Sequence, residues 1–127
     1  MYVTDTHSLV WHLQHDENLS DRVKSIFETC DNEKETIIIP SIVLIESIFV
    51  CEKRKIDMKF QQILEKLKEA SNYRIYPLDE DVVSECARIN MKEPHDRIIV
   101  ATSKLLNAPL ITNDKKIKES KFVETIW

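Results

Sequence analysis

The 127-residue sequence contains no glycine. Glycine-rich phosphate loops of the G-x-G-x-x-G and Walker-A kinds are thereby excluded, because both need a residue without a side chain where the backbone closes on phosphate. Cysteine is sparse: Cys30, Cys51 and Cys86 are odd in number, widely spaced and without a C-x-x-C pair. No disulfide framework or zinc knuckle follows, and reduced thiols in a cytoplasmic protein are the expectation. Long apolar runs are also missing. The longest, Ile37 to Cys51, is broken by Pro40, Ser41, Glu46 and Ser47 and is too short to span a bilayer, so no membrane role is expected. Met1-Tyr2-Val3-Thr4-Asp5 carries no basic stretch, which argues against a signal peptide. Positive charge is not in excess either. The 18 Lys and Arg against 22 Asp and Glu leave a net charge of -4. That figure neither suggests nor excludes a nucleic-acid partner, since a binding face depends on how charge is distributed.

What is present reads as one globular domain over residues 1–127, with 43% hydrophobic and 31% charged residues and no repeat or linker. Short β-branched runs alternate with amphipathic stretches. Strands are expected at Tyr2–Thr4, Thr36–Ile39, Arg74–Tyr76, Leu110–Thr112 and Val123–Ile126. Between them, Val23, Ile26, Phe27 and Cys30 form a helical stripe after a Ser20 N-cap, and Ser41 to Arg54 reads as a largely buried helix. Phe60, Ile63, Leu64 and Leu67 form a stripe with Asp57 as its cap. Val82, Val83, Cys86 and Ile89 form another after Asp79. Pro94 suits the first turn of a helix running to about Leu106, with Asn107 in the place of a terminating glycine. The alternation predicts an α/β fold with a mainly parallel sheet, whose functional groups gather beyond the carboxyl ends of the strands.

Four acids stand at the edges of, or inside, apolar segments. Asp5 ends the first strand, Glu46 interrupts an apolar helix, Asp96 opens Ile98-Ile99-Val100-Ala101, and Asp114 follows Leu110-Ile111-Thr112-Asn113. An ionised carboxylate in apolar surroundings is costly unless a cation compensates it. Four in similar settings point to one shared divalent metal. Taken singly, three have ordinary readings: Asp5 as a helix cap, Asp96 as a complement to a helix dipole, and Asp114 as a turn residue. Glu46 could pair with Arg97 or a lysine.

The segments Val3-Thr4-Asp5-Thr6-His7, Pro40 to Glu46, Pro94 to Thr102 and Ala108 to Asp114 resemble, in order and spacing, the PIN domain family and its VapC-type ribonuclease toxins. The resemblance implies a PIN-like three-layer fold, with a central sheet flanked by helices. It implies a Mg²⁺- or Mn²⁺-dependent endoribonuclease, acting on RNA, often dimeric and often held by an antitoxin protein. Asp5, Glu46, Asp96 and Asp114 would be its metal-binding acids, and Thr112 its catalytic hydroxyl beside them. Glu93 stands where many relatives have Asp, and Ile117 where some have a further acid.

Of the histidines, His12 and His15 have helical spacing but no third ligand for zinc, and are expected to be exposed on the first helix. His7 and His95 flank the acids at surface positions. Arg97, Lys104, Lys118, Lys121 and Lys53-Arg54-Lys55 are candidate phosphate contacts, and Lys115 and Lys116 beside Asp114 are a candidate basic rim. Trp11 and Trp127 are expected in the core, and the helices from Ser41 to Ser71 could offer apolar surface to a second copy or an antitoxin. Two other functions compete: a PIN-like RNA- or protein-binding module that does not cut, and a metal-dependent nuclease or phosphatase unrelated to toxins.

Overall fold

The β-branched runs become the strands of one sheet in the computed structural model, which describes residues 1–127 throughout. The element order is β1 (Tyr2–Thr4), α1 (Thr6–Leu13), α2 (Asp21–Asp31), β2 (Ile37–Pro40), α3 (Ser41–Lys53), α4 (Phe60–Glu69), β3 (Tyr73–Tyr76), α5 (Glu80–Ala87), α6 (Pro94–Leu106), β4 (Leu110–Ile111), α7 (Lys115–Ser120) and β5 (Thr125–Ile126). Every pairing is parallel and the strand order is β3-β2-β1-β4-β5. Helices flank the sheet in a three-layer α/β arrangement, as expected from the alternation of elements. Val3, Ile37, Ile39, Leu110 and Ile111 are fully buried, as a doubly covered parallel sheet requires.

The chain leaves β1 toward β2 on one side and later returns to β4 on the other. That reversal beside β1 is a topological switch point, where the loops beyond neighbouring strands part and open a crevice. The register of Thr4 with Ile111 places Asp5 and Thr112 side by side at its floor, and the Asp5 N–H donates to the Ile111 carbonyl at 3.1 Å.

Helix ends follow the sequence signals in most places. Ser20, Asp79, Asp5 and Asp114 each accept a hydrogen bond from the backbone N–H three residues on. Pro94 occupies the first turn of α6, and Asn107 ends that helix in the left-handed region at φ 49°. Asp57 is not a cap: α4 begins at Phe60 after Lys59, without a side-chain cap. Helix α3 is less buried than its composition suggests, for Ile45 and Phe49 are 51% and 66% exposed. No helix is long and apolar enough to cross a membrane.

The missing glycines have a structural consequence. Helices α1, α2, α3 and α6 all end in the paired backbone bonds of a Schellman motif, His15/Asp16, Glu33/Lys34, Lys55/Ile56 and Asn107/Ala108 donating in turn. The motif needs a left-handed residue, and here His15, Glu33, Lys55 and Asn107 adopt positive φ instead of glycine. A Cβ in that region costs about 1 kcal/mol or more, least for Asn. Glu33→Gly is therefore expected to raise stability by about 1 kcal/mol. Urea unfolding checks it, and a lower midpoint would show that Glu33 makes a compensating interaction.

Candidate active site

The switch-point crevice is a cleft of about 340 Å³ lined by Asp5, Glu46, Asp96 and Asp114, with Thr6, His7, Trp11, Arg54, Ile99 and Asn113 completing the wall. Four elements supply the acids. Asp5 follows β1, Glu46 lies on α3 beyond β2, Asp96 sits in the first turn of α6, and Asp114 precedes α7. The structure thus brings all four predicted acids to one place. Thr112 is fully buried beneath them, its hydroxyl accepting from the Asp114 N–H at 3.0 Å.

Asp5 keeps its ordinary reading as a helix cap alongside this placement, and Asp114 takes the same role. Asp5 Oδ1 accepts from the Ser8 N–H at 2.9 Å, and Asp114 Oδ1 accepts from the Ile117 N–H at 3.0 Å. Each acid caps a helix with one oxygen, and the cap fixes the orientation of its second oxygen. Asp114 is accordingly a helix cap rather than a simple turn residue. Burial raises the Asp5 carboxyl above its usual range, against the opposing pull of hydrogen bonds from Ser8 and Thr112. Asp96 is pushed up to about 6, first by desolvation and then by the charges of Asp114, Glu93, Glu46 and Asp5.

Glu46 does not pair with Arg97. Its Oε1 accepts from the Thr6 hydroxyl at 2.8 Å, and its Oε2 lies 3.3 Å from Nδ1 of His95. His95 also stands 3.1 Å from Oε1 of Glu93, whose other oxygen accepts from the Asp96 N–H at 2.6 Å. Glu93 therefore caps α6 and anchors His95, and Ile117 is a core residue 1% exposed. Arg97 turns inward, donating to the carbonyls of Cys86 at 2.7 Å and Met91 at 3.3 Å. It braces the approach to α6 and is no phosphate contact.

Thr6 and Asn113 lacked any sequence signal beyond their position beside an acid. Arg54 is the one lysine or arginine in the cleft wall, and it makes no ion pair. Lys115 and Lys116 are exposed next to Asp114, with Lys115 3.8 Å from Glu119. His12 is not an exposed helix residue: its ring stacks on Phe27 at 4.1 Å and approaches Asp31 at 3.4 Å, and burial lowers its pKa. His15 lies past the end of α1 and is exposed.

The donor set suits a hard divalent cation. All four acids offer oxygen, and no cysteine lines the cleft. No three His, Cys, Asp or Glu side chains converge tightly enough to form a closed metal cage. Mg²⁺ needs none, since it keeps several waters and is held by one or two carboxylates. The mutual repulsion felt at Asp96 is an imbalance that such an ion would relieve.

Fold and cleft together define a parallel α/β protein with an acid-lined site at its sheet's switch point. The chain matches the PIN domain over residues 2–123, and it belongs to the PIN domain family. PIN domains are nucleases that generally use divalent metal ions. Among solved structures, it is similar to VapBC2 from Rickettsia felis bound to a promoter DNA fragment, with 22% identity and a TM-score of 0.69 over 98% of this chain and 96% of that one. It is also similar to FitAcB from Neisseria gonorrhoeae, with 19% identity and a TM-score of 0.69 over 100% and 97%. A toxin–antitoxin complex from Klebsiella pneumoniae gives 19% identity and a TM-score of 0.66 over 100% and 97%. At these identities the likeness establishes the fold. No curated protein sequence matches the chain.

Proposed function

We propose that this protein is a divalent-metal-dependent endoribonuclease and the toxin of a toxin–antitoxin pair, with Mg²⁺ as the ion and Mn²⁺ as its substitute. The observation that carries the reading is the gathering of Asp5, Glu46, Asp96 and Asp114 around one cleft. These four residues would hold the ion, which when bound supplies charge stabilisation at the scissile phosphate and an acidified water. The chain's own part is orientation. Capping bonds fix Asp5 and Asp114, Thr6 and His95 fix Glu46, and Thr112 ties the Asp114 backbone to the floor. Arg54 supplies a cation to draw in a phosphate. The VapBC and FitAB likenesses support an antitoxin partner, and the exposed Ile45 and Phe49 support a protein partner or a second copy on α3.

The alternative is a PIN domain that binds RNA without cutting, for which Trp11 and Arg54 in the cleft wall would suffice. A single experiment separates the two. Structured and single-stranded RNAs are incubated with Mg²⁺, Mn²⁺ or EDTA and with wild type, Asp5→Asn or Asp114→Asn. Metal-dependent cleavage lost in both folded variants is expected. RNA binding that needs no metal, with no cleavage, would establish the second reading. The toxin role predicts growth arrest on expression, relieved by a co-encoded neighbour; normal growth of cells making active enzyme would remove it.

A further inference from the structure

The cleft contains one feature that holding a metal does not require. Its only apolar lining residues are Ile99 and Trp11, and Ile99 is 2% exposed, so Trp11 provides the accessible apolar surface. Trp11 lies on α1 two turns beyond Asp5, packs partly against the core and still borders the acids. It is not alone. The exposed His7 ring lies 5.6 Å from it on the same helix, and Trp127 meets it edge-on at 5.8 Å. Lys118 stands 5.9 Å over the Trp127 ring and donates at 2.7 Å to Oδ1 of Asn113, itself a cleft residue. The aromatic group is thereby fastened to the loop that carries Asp114.

We propose that Trp11, supported by His7 and Trp127, is a stacking platform for an unpaired base next to the phosphate held over the acids. The proposal rests on the ribonuclease reading and adds to it the side chain that would hold a base beside the phosphate. An indole bordering an acidic cleft contributes nothing to phosphate chemistry. It offers a flat apolar surface of the kind on which proteins hold splayed bases, and aromatic rings stack on every base type. A base paired within a continuous duplex has no free face, so the platform selects unpaired nucleotides. Arg54, the unpaired cation of the same wall, supplies the accompanying phosphate contact. Trp11 is then a substrate-contacting residue, whereas Thr6 and His95 act only through Glu46.

The test is binding of a short labelled oligoadenylate, followed by anisotropy with Mg²⁺ present in an Asp114→Asn background that leaves the strand uncut. Trp11→Leu, which keeps apolar bulk but removes the aromatic face, is expected to weaken binding by about 10- to 100-fold, and Trp11→Phe by no more than about threefold. The duplex formed with oligouridylate is expected to bind at least about tenfold more weakly than the single strand. Oligoadenylate should also quench tryptophan emission in the protein that retains Trp11, a measurement that needs no variant at that position. Equal binding by the Leu and Phe variants, equal binding of duplex and single strand, or unquenched emission would each overturn the platform. Metal-dependent cleavage by the protein with Asp114 intact is scored separately. Cleavage without stacking sinks only the platform, and stacking without cleavage sinks only the ribonuclease.

Discussion

Asp96→Asn is expected to lower RNA cleavage by roughly three orders of magnitude and, in EDTA, to raise the melting temperature of the protein at pH 8. Both effects come from the same charges. Desolvation and then Asp114, Glu93, Glu46 and Asp5 push the Asp96 carboxyl up to about 6 from its ordinary 3.8. A group that holds its proton more tightly in the folded state stabilises the fold at low pH. That contribution is complete below the unfolded value and is lost as pH climbs through the folded one. For Asp96 the loss runs from about pH 4 to about pH 6. Asparagine, neutral at every pH, keeps what the protonated acid supplied. Solvent reaches this half-buried side chain and screens its neighbours, so the gain above pH 7 is discounted to about 1 to 2 kcal/mol. For a domain of this size that corresponds to about 5 °C. Melts in EDTA from pH 4 to pH 8 should show the gap between variant and wild type widening as pH rises. A gap that narrows would contradict the electrostatic account, and a variant that still cleaves would remove Asp96 from the site.

The legibility of this protein in its sequence divides along physical lines. Caps are local, so Ser20, Asp79, Pro94 and Asn107 could be placed before any tertiary contact was known. The parallel sheet was legible because its strands are short β-branched runs separated by helices, although strand ends moved by a residue or two, β4 stopping at Ile111 and β5 beginning at Thr125. The four acids stood out through their apolar flanks, and the order of β1 and β4 in the sheet explains why they meet. What stayed hidden depends on which distant side chain arrives. Glu46 finds Thr6 across forty residues of sequence, a partner that charge alone, which points to Arg97 or a lysine, does not reveal. His12, without a third ligand for zinc, reads as an exposed helix residue, yet Phe27 and Asp31 of α2 fold over it. Trp11 shows the limit most clearly. Composition assigns a tryptophan to the core, and only the cleft's geometry shows that part of it is also wall.

Magnesium is expected to raise the melting temperature of the wild type on the order of 10 °C at pH 8, the gain of a ligand at about a hundredfold its dissociation constant. The rise should be far smaller at pH 5 and nearly absent in Asp96→Asn at either pH. At pH 8 the cleft holds Asp96 ionised among acids that repel it, so a cation that binds only the folded chain relieves an existing strain as well as adding its own contacts. Below about pH 6 the proton on Asp96 already relieves part of that strain, and metal must displace it before using the oxygen. Asparagine removes both the strain and a charged ligand. The expected order of melting shifts is therefore wild type at pH 8, then wild type at pH 5, then the variant. The Asn variant starts from the higher baseline in EDTA and gains least, so the two melting curves should approach or cross as magnesium is added at pH 8. A nonspecific ionic-strength effect would instead move both proteins together and would be matched by an equal ionic strength of sodium chloride. If wild type and variant shift alike, or neither shifts with Mg²⁺ or Mn²⁺, the acids are not holding a metal. The cleft then belongs to a PIN domain that binds RNA through its aromatic wall and Arg54 without cutting it.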